Sequence, residues 1–234
     1  MLTFSSQIDI FEYVNTDNFN QYTLHTGSRA VCNMDPNVGP KYKSANATVN
    51  KSFLGTPLTT ECKSSGANNA GCAFTDVAGS AGTPFNMAAG GVYAMLWDTT
   101  HIAIWRFERN QIPQDIQNED PNPDSWGTPV ALWSDQSCDI AASFRDLSRT
   151  FPSSGFLETL LSGLRCPIVV INIAICGDWA GAVYNSGGTC ADAVGNSTNY
   201  DCTSSLVIVL GRNSPLFTTG AQTKINYVSV YQRA

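Results

Sequence analysis

Charge is scarce in this chain: 14% of its 234 residues are Asp, Glu, Lys or Arg, and only two are His. Thirteen Lys and Arg against nineteen Asp and Glu leave a net charge of −6, which argues against nucleic acid or an anionic membrane surface as partner. No apolar run approaches the roughly 20 residues of a membrane helix. Residues 1–6, Met-Leu-Thr-Phe-Ser-Ser, carry no signal-peptide pattern. No Cys-x-x-Cys pair occurs, so a zinc site is not expected, and no motif asks for a cofactor. Apolar residues, at 43%, are plentiful enough to exclude disorder and to build one sizeable core.

What the chain does have is turn chemistry and cysteine. Nineteen Gly and eleven Pro among many Ser, Thr and Asn point to an all-β chain rich in turns. Eight cysteines in so loop-rich a sequence read as disulfides formed in an oxidising compartment. Sequons at Asn46, Asn50 and Asn196 agree with a secreted, extracellular protein.

The stretch that carries chemistry is Gln7-Ile8-Asp9-Ile10-Phe11-Glu12. In a strand Gln7 and Asp9 share a face, and strict alternation sends Glu12 to the other. One inserted residue, a β-bulge around Ile10-Phe11, brings Glu12 back beside Asp9, and bulges are common next to active sites. Positions 7 and 12 then approach the spacing of about 5 Å that retaining glycosidases need between two carboxyl groups. One of the two is an amide.

Tyr22-Thr23-Leu24-His25-Thr26, after a polar Asn/Asp turn, predicts an antiparallel partner that sets His25 near the acids. Its expected task is hydrogen bonding to the acid or the ligand, uncharged at neutral pH. Residues 32–90 signal little regular structure and read as long bridged loops. Val92–Trp97 and Ile102–Phe107 alternate around Asp98-Thr99-Thr100-His101 and predict a second hairpin. Pro113, Pro121 and Pro123 make 110–128 an extended loop; 141–147 reads as a short helix, 206–210 and 225–231 as strands. Trp179 offers a flat face for a sugar ring, and Asp178 an acceptor for hydroxyls.

The first motif, read as Glu-Ile-Asp-Ile-x-Glu with Gln7 at its head, resembles the signature of glycoside hydrolase family 16. The likeness continues in order through Val14-Asn15, Leu24-His25-Thr26-Gly27, Gly90-Gly91-Val92-Tyr93-Ala94, Ile112-Pro113-x-Asp115-Ile116 and Trp126-Gly127. It goes on through Cys138-Asp139-Ile140, Cys176-Gly177-Asp178-Trp179-Ala180-Gly181 and Val228-Ser229-Val230-Tyr231-Gln232. Within that family the chain looks like the fungal laminarinase branch, the endo-1,3(4)-β-glucanases.

The resemblance implies an antiparallel β-sandwich of jelly-roll, concanavalin A-like type, one domain over residues 1–234. It also implies an N-terminally truncated domain, because the family's catalytic strand follows several earlier strands, and an insertion at 153–167 that leaves Cys166 without a partner. Translated intron at both places would account for these departures together. By the same likeness position 7 holds the nucleophile, Glu12 is the acid/base, Asp9 orients the nucleophile, and His25 hydrogen-bonds nearby. Asn15, Trp179 and Asp178 bind substrate, and Leu96 stands where the family usually has Glu. The implied partner is a laminarin-like β-glucan, bound by a monomer with no cofactor and no metal.

An amide at position 7 is a far poorer nucleophile than a carboxylate, so hydrolysis should be lower by about 10⁵-fold, roughly 7 kcal/mol. Glu12, lacking an anionic neighbour there, should hold its proton less tightly than in active relatives. Three readings stand: an impaired endo-β-1,3(4)-glucanase, a β-glucan-binding pseudoenzyme, or a non-carbohydrate interaction module on the same fold.

Overall fold

The computed structural model describes residues 6–14, 17–27, 31–37, 52–65, 68–144, Trp179, Val183 and 225–231. The chain divides into two compact units, residues 1–13 with 18–170, and residues 14–17 with 171–234. All the strands and helices named below belong to the first.

The described residues of that unit form two antiparallel sheets. One runs in the order β1 (Gln7–Glu12), β2 (Gln21–His25), β4 (Cys72–Thr75), β3 (Thr56–Thr59). The other runs β5 (Gly91–Trp97), β6 (His101–Glu108), β7 (Ala131–Ser134). Pairing fixes which side chains share a face. Ile8 pairs with Leu24 and Leu24 with Cys72, while Tyr22 pairs with Phe74 and Phe74 with Pro57. These rows turn towards the second sheet, whose facing row holds Met95, Ile102, Ile104 and Trp133. Phe74 and Trp133 meet edge-to-face across the gap, with ring centroids 5.1 Å apart. One ion pair crosses the same core: Arg106 Nε donates to Asp76 Oδ2 at 2.8 Å, and Tyr22 Oη donates to the same oxygen at 2.7 Å.

Both predicted hairpins are present. β5 and β6 turn through Asp98, whose Oδ1 accepts from Thr100 N, Thr100 Oγ1 and His101 N. Two loop expectations are corrected. Residues 32–90 contain β3, β4 and a helix α1 (Gly82–Met87), and β4 lies inside its sheet with a partner on each side. Four-residue strands are too short to show a period; their neighbours and the Cys62–Cys72 disulfide hold them. The loop at 110–128 holds a turn of helix α2 (Gln114–Gln117) and a 3₁₀ turn at Pro123–Ser125. Asp115 Oδ2 ties the segment together by accepting from Trp126 Nε1 at 2.7 Å and Asn122 N at 2.7 Å. Trp126 in turn packs edge-on against Trp105 and Phe107, covering the outer face of β6.

The predicted helix at 141–147 appears as α3 (Ile140–Ser143), capped by Asp139 through Ala142 N at 2.9 Å. Residues 145–147 lie outside the described residues. Residues 225–231 are not a strand: they are exposed and carry no regular structure. Alternating Val228 and Val230 supply β-propensity, but a strand also needs a ladder partner, and none is found among the described residues. The expected insertion at 153–167, Cys166, the strand at 206–210 and all three sequons fall outside the described residues. A second disulfide joins Cys32 and Cys138.

Candidate active site

The face of the first sheet that points away from the second carries the polar residues. β1 pairs with β2 in the register Gln7 with His25, Asp9 with Thr23, and Glu12 with Gln21. Between the last two pairs β1 advances three residues while β2 advances two, so β1 holds one extra residue in the Asp9–Glu12 span. That is the expected bulge, and it returns Glu12 to the face of Asp9. Gln7, Asp9, Glu12 and His25 thus share one surface.

A bulge leaves backbone groups without ladder partners, and here Asn20 takes them. Its Oδ1 accepts from Glu12 N at 2.8 Å, and its Nδ2 donates to Ile10 O at 3.0 Å. Asn20 is itself fully buried and held at both ends. Its backbone N donates to Ser80 Oγ at 2.7 Å, and its carbonyl accepts from Asp76 N at 2.9 Å. The backbone bend that aims Glu12 therefore rests on one carboxamide anchored in the core.

The site side chains form two connected lines. In the first, Gln7 Nε2 donates to Asp9 Oδ1, His25 Nε2 lies 3.3 Å from Asp9 Oδ2, and His25 Nδ1 is hydrogen-bonded to Ser64 Oγ at 2.8 Å. The approach of His25 leaves Asp9 Oδ2 buried without a hydrogen-bond partner among the described residues. In the second, Gln21 Nε2 donates to Thr23 Oγ1 at 3.0 Å, and Thr23 Oγ1 donates to Glu12 Oε2 at 3.1 Å. Burial and then the charge of Asp9 push the Glu12 carboxyl above its usual range; the Thr23 hydroxyl and His25 pull the other way. Even with a neutral residue at position 7, Glu12 is thus biased towards holding a proton, as a general acid requires.

Asp9, His25 and Ser64 have the spacing of a nucleophile relay. Such a relay also needs amides free to stabilise an oxyanion. Ser64 N donates to Thr26 O and Ser65 N to Asn68 O, so those two amides are committed. That leaves Asp9 and Glu12 as the carboxyls of this face, with the amide of Gln7 beside them. Among the described residues no cluster of three or more His, Cys, Asp or Glu is placed to hold a metal ion.

Of the other predicted site residues, Trp179 belongs to the second unit and is 39% exposed. Asn15 and Asp178 lie outside the described residues. Sequence reasoning overlooked Asn20, Gln21, Thr23 and Ser64. For Thr23 and Gln21 the signal was there, since they alternate with Tyr22 and Leu24 on the strand that carries His25. Gly71 was overlooked as well. At φ +66° it lies where an added Cβ would come within 2.8 Å of His25 Nδ1 and 2.7 Å of Thr23 Cγ2.

A family model described as XgeA-like, catalytic GH16 domain, matches residues 4–153. The chain belongs to glycoside hydrolase family 16. It is 34% identical to a probable glycosidase of Schizosaccharomyces pombe over 82% of this chain. It is 31% identical to a probable endo-1,3(4)-β-glucanase of Aspergillus niger over 97% of this chain. The chain spans 39% and 25% of the lengths of those two relatives. Among solved structures, an elongating family 16 β-1,3-glucosyltransferase is 27% identical, with TM-score 0.58, over 86% of this chain and 55% of that one. Laminarinase 16A from Phanerochaete chrysosporium is 32% identical, with TM-score 0.52, over 62% of this chain and 45% of that one. It was solved with 6-O-glucosyl-laminaritriose in its donor and acceptor sites. The fold of this family 16 chain is the antiparallel jelly-roll sandwich.

Proposed function

We propose that this family 16 chain acts on β-1,3(4)-glucan through a retaining site whose hydrolytic step is impaired at position 7. The observation that carries this reading is the bulge of β1, which turns Gln7, Asp9 and Glu12 to one face beside His25. In the retaining reaction Glu12 gives its proton to the glycosidic oxygen as the bond to the anomeric carbon breaks, and a carboxylate at position 7 closes on that carbon to form an ester. Glu12, now ionised, takes a proton from the water that hydrolyses the ester. Asp9 orients the residue at position 7. An amide there does not form the ester, so the chain as it stands should bind glucan and release very little product.

Asn15, Asp178 and Trp179 are assigned to glucan contacts, the indole of Trp179 as a stacking face. The two disulfides support an extracellular location, and the protein is read as a monomer.

The test is reducing-sugar release from laminarin by the natural chain and by Gln7→Glu, with binding followed by calorimetry. The expected result is glucan binding by both, and a gain of about 10⁵-fold in hydrolysis on restoring the carboxylate. Binding with no gain would favour a lectin-like role, which the bond from Gln7 to Asp9 also fits. Absence of both binding and hydrolysis would sink the reading.

A further inference from the structure

We propose that Thr23 decides which oxygen of Glu12 carries the reacting proton, and that Gln21 fixes the direction in which Thr23 points. The inference rests on the reading of Glu12 as the acid/base.

A threonine hydroxyl has one hydrogen to give and lone pairs to receive. Gln21 Nε2 donates into Thr23 Oγ1 at 3.0 Å, which occupies a lone pair and leaves the hydroxyl hydrogen for the other neighbour. That neighbour is Glu12 Oε2, 3.1 Å away. An oxygen that already accepts this hydrogen is the carbonyl-like oxygen of a neutral carboxyl, so the acid proton resides on Oε1. Thr23 is fully buried at the centre of the sheet, paired with Asp9 on one side and Ala73 on the other, so its side chain has little room to turn elsewhere. When Glu12 ionises, the same bond becomes charge-assisted and stronger, favouring the carboxylate needed in the second half of the reaction. Thr23 is therefore a positioning residue. It selects the oxygen that gives the proton and offsets part of what burial does to Glu12.

The charged or titratable groups acting on Glu12 are Asp9 on its own strand and His25 on β2. Neither is altered by changes at Thr23, so the effect is separable. The experiment is a carbon-13 NMR titration of the glutamate carboxyls in the full chain, with Glu12 assigned by the signal lost in Glu12→Gln. Thr23→Val, close in shape but without the hydroxyl, should move the Glu12 midpoint upward. Thr23→Ser should leave it near the natural chain, and Thr23→Ala should resemble Thr23→Val. In a Gln7→Glu background, Thr23→Val should carry the basic limb of the kcat/KM profile upward, and Thr23→Ser should restore it.

If Thr23→Val does not fold, the Ser and Ala variants make the same comparison, since they differ only in the hydroxyl. Equal Glu12 midpoints in variants with and without the hydroxyl, at unchanged melting curves, would overturn the proposal. An NMR shift with no hydrolysis in Gln7→Glu would reject the glucan reading and leave the hydrogen-bond assignment standing. Hydrolysis with no shift would do the reverse.

Discussion

Removing the carboxamide of Asn20 should do more damage than its size suggests. In Asn20→Ala the side chain that accepts from Glu12 N and donates to Ile10 O is gone, and neither group has a ladder partner to return to. An unsatisfied backbone group costs about 1–3 kcal/mol when buried. Ile10 and Glu12 are half-buried, so water meets part of the need and the lower half of that range applies to each. The expected loss is about 2–4 kcal/mol. For a chain of this length that corresponds to a fall of roughly 5–15 °C in Tm. Asn20→Asp separates the two bonds. It retains an acceptor for Glu12 N but sets an oxygen against Ile10 O, and it adds a negative charge near a carboxyl already biased towards its proton. It should therefore also melt below the natural chain. Differential scanning calorimetry of the three proteins is the assay. An Asn20→Ala protein melting within about 2 °C of the natural chain would show that the bulge is held by the strands and not by this amide.

Gly71→Ala would set a Cβ 2.6 Å from Leu24 O and 2.8 Å from His25 Nδ1 at a positive φ, so it should lower Tm and break the bond from Ser64 to His25, visible as a changed imidazole NMR signal. The Cys32–Cys138 disulfide closes a span of 106 residues and Cys62–Cys72 one of 10, so loop-closure entropy ranks them at about 4.7 and just under 3 kcal/mol, and Cys-to-Ala pairs should unfold at denaturant midpoints in that order. Glu12 has a folded-state pKa above its unfolded value, so its stabilising contribution is complete below the unfolded value and is lost as pH rises through the folded one. Glu12→Gln should accordingly gain on the natural chain as pH rises above 4.5, the ordinary glutamate value, and a Tm difference that stays constant through that rise would contradict the assignment.

Strand β1 was legible because its chemistry conflicts with simple alternation. Two acids and an amide at positions 7, 9 and 12 cannot share a face without an extra residue, and the bulge is where that conflict predicts it. The hairpin around Asp98 was legible for a similar reason, since two long alternating runs flank a residue that caps a turn. β4 was not. Cys72-Ala73-Phe74-Thr75 is too short to show a period, and its place comes from pairing with β2 and β3. Asn20 was hidden differently: it sits at the end of a polar turn, where Asn is expected for backbone reasons alone. Only the fold shows that its side chain points inward to the bulge.

Position 7 is where sequence and structure press hardest on each other. Gln7 is well matched to its surroundings: Asp9 Oδ1 accepts from the Gln7 amide, and Asp9 Oδ2 lies 3.3 Å from His25 Nε2. A glutamate at position 7 would turn oxygen towards oxygen at the first contact, and two carboxylates that close hold one proton between them far more readily than none. A glutamate at position 7 therefore also changes what Asp9 must do, from accepting a hydrogen bond to supplying one. Under the proposed reading, a carboxylate at position 7 would find the strand bulge and the Asn20 bonds that hold it already present.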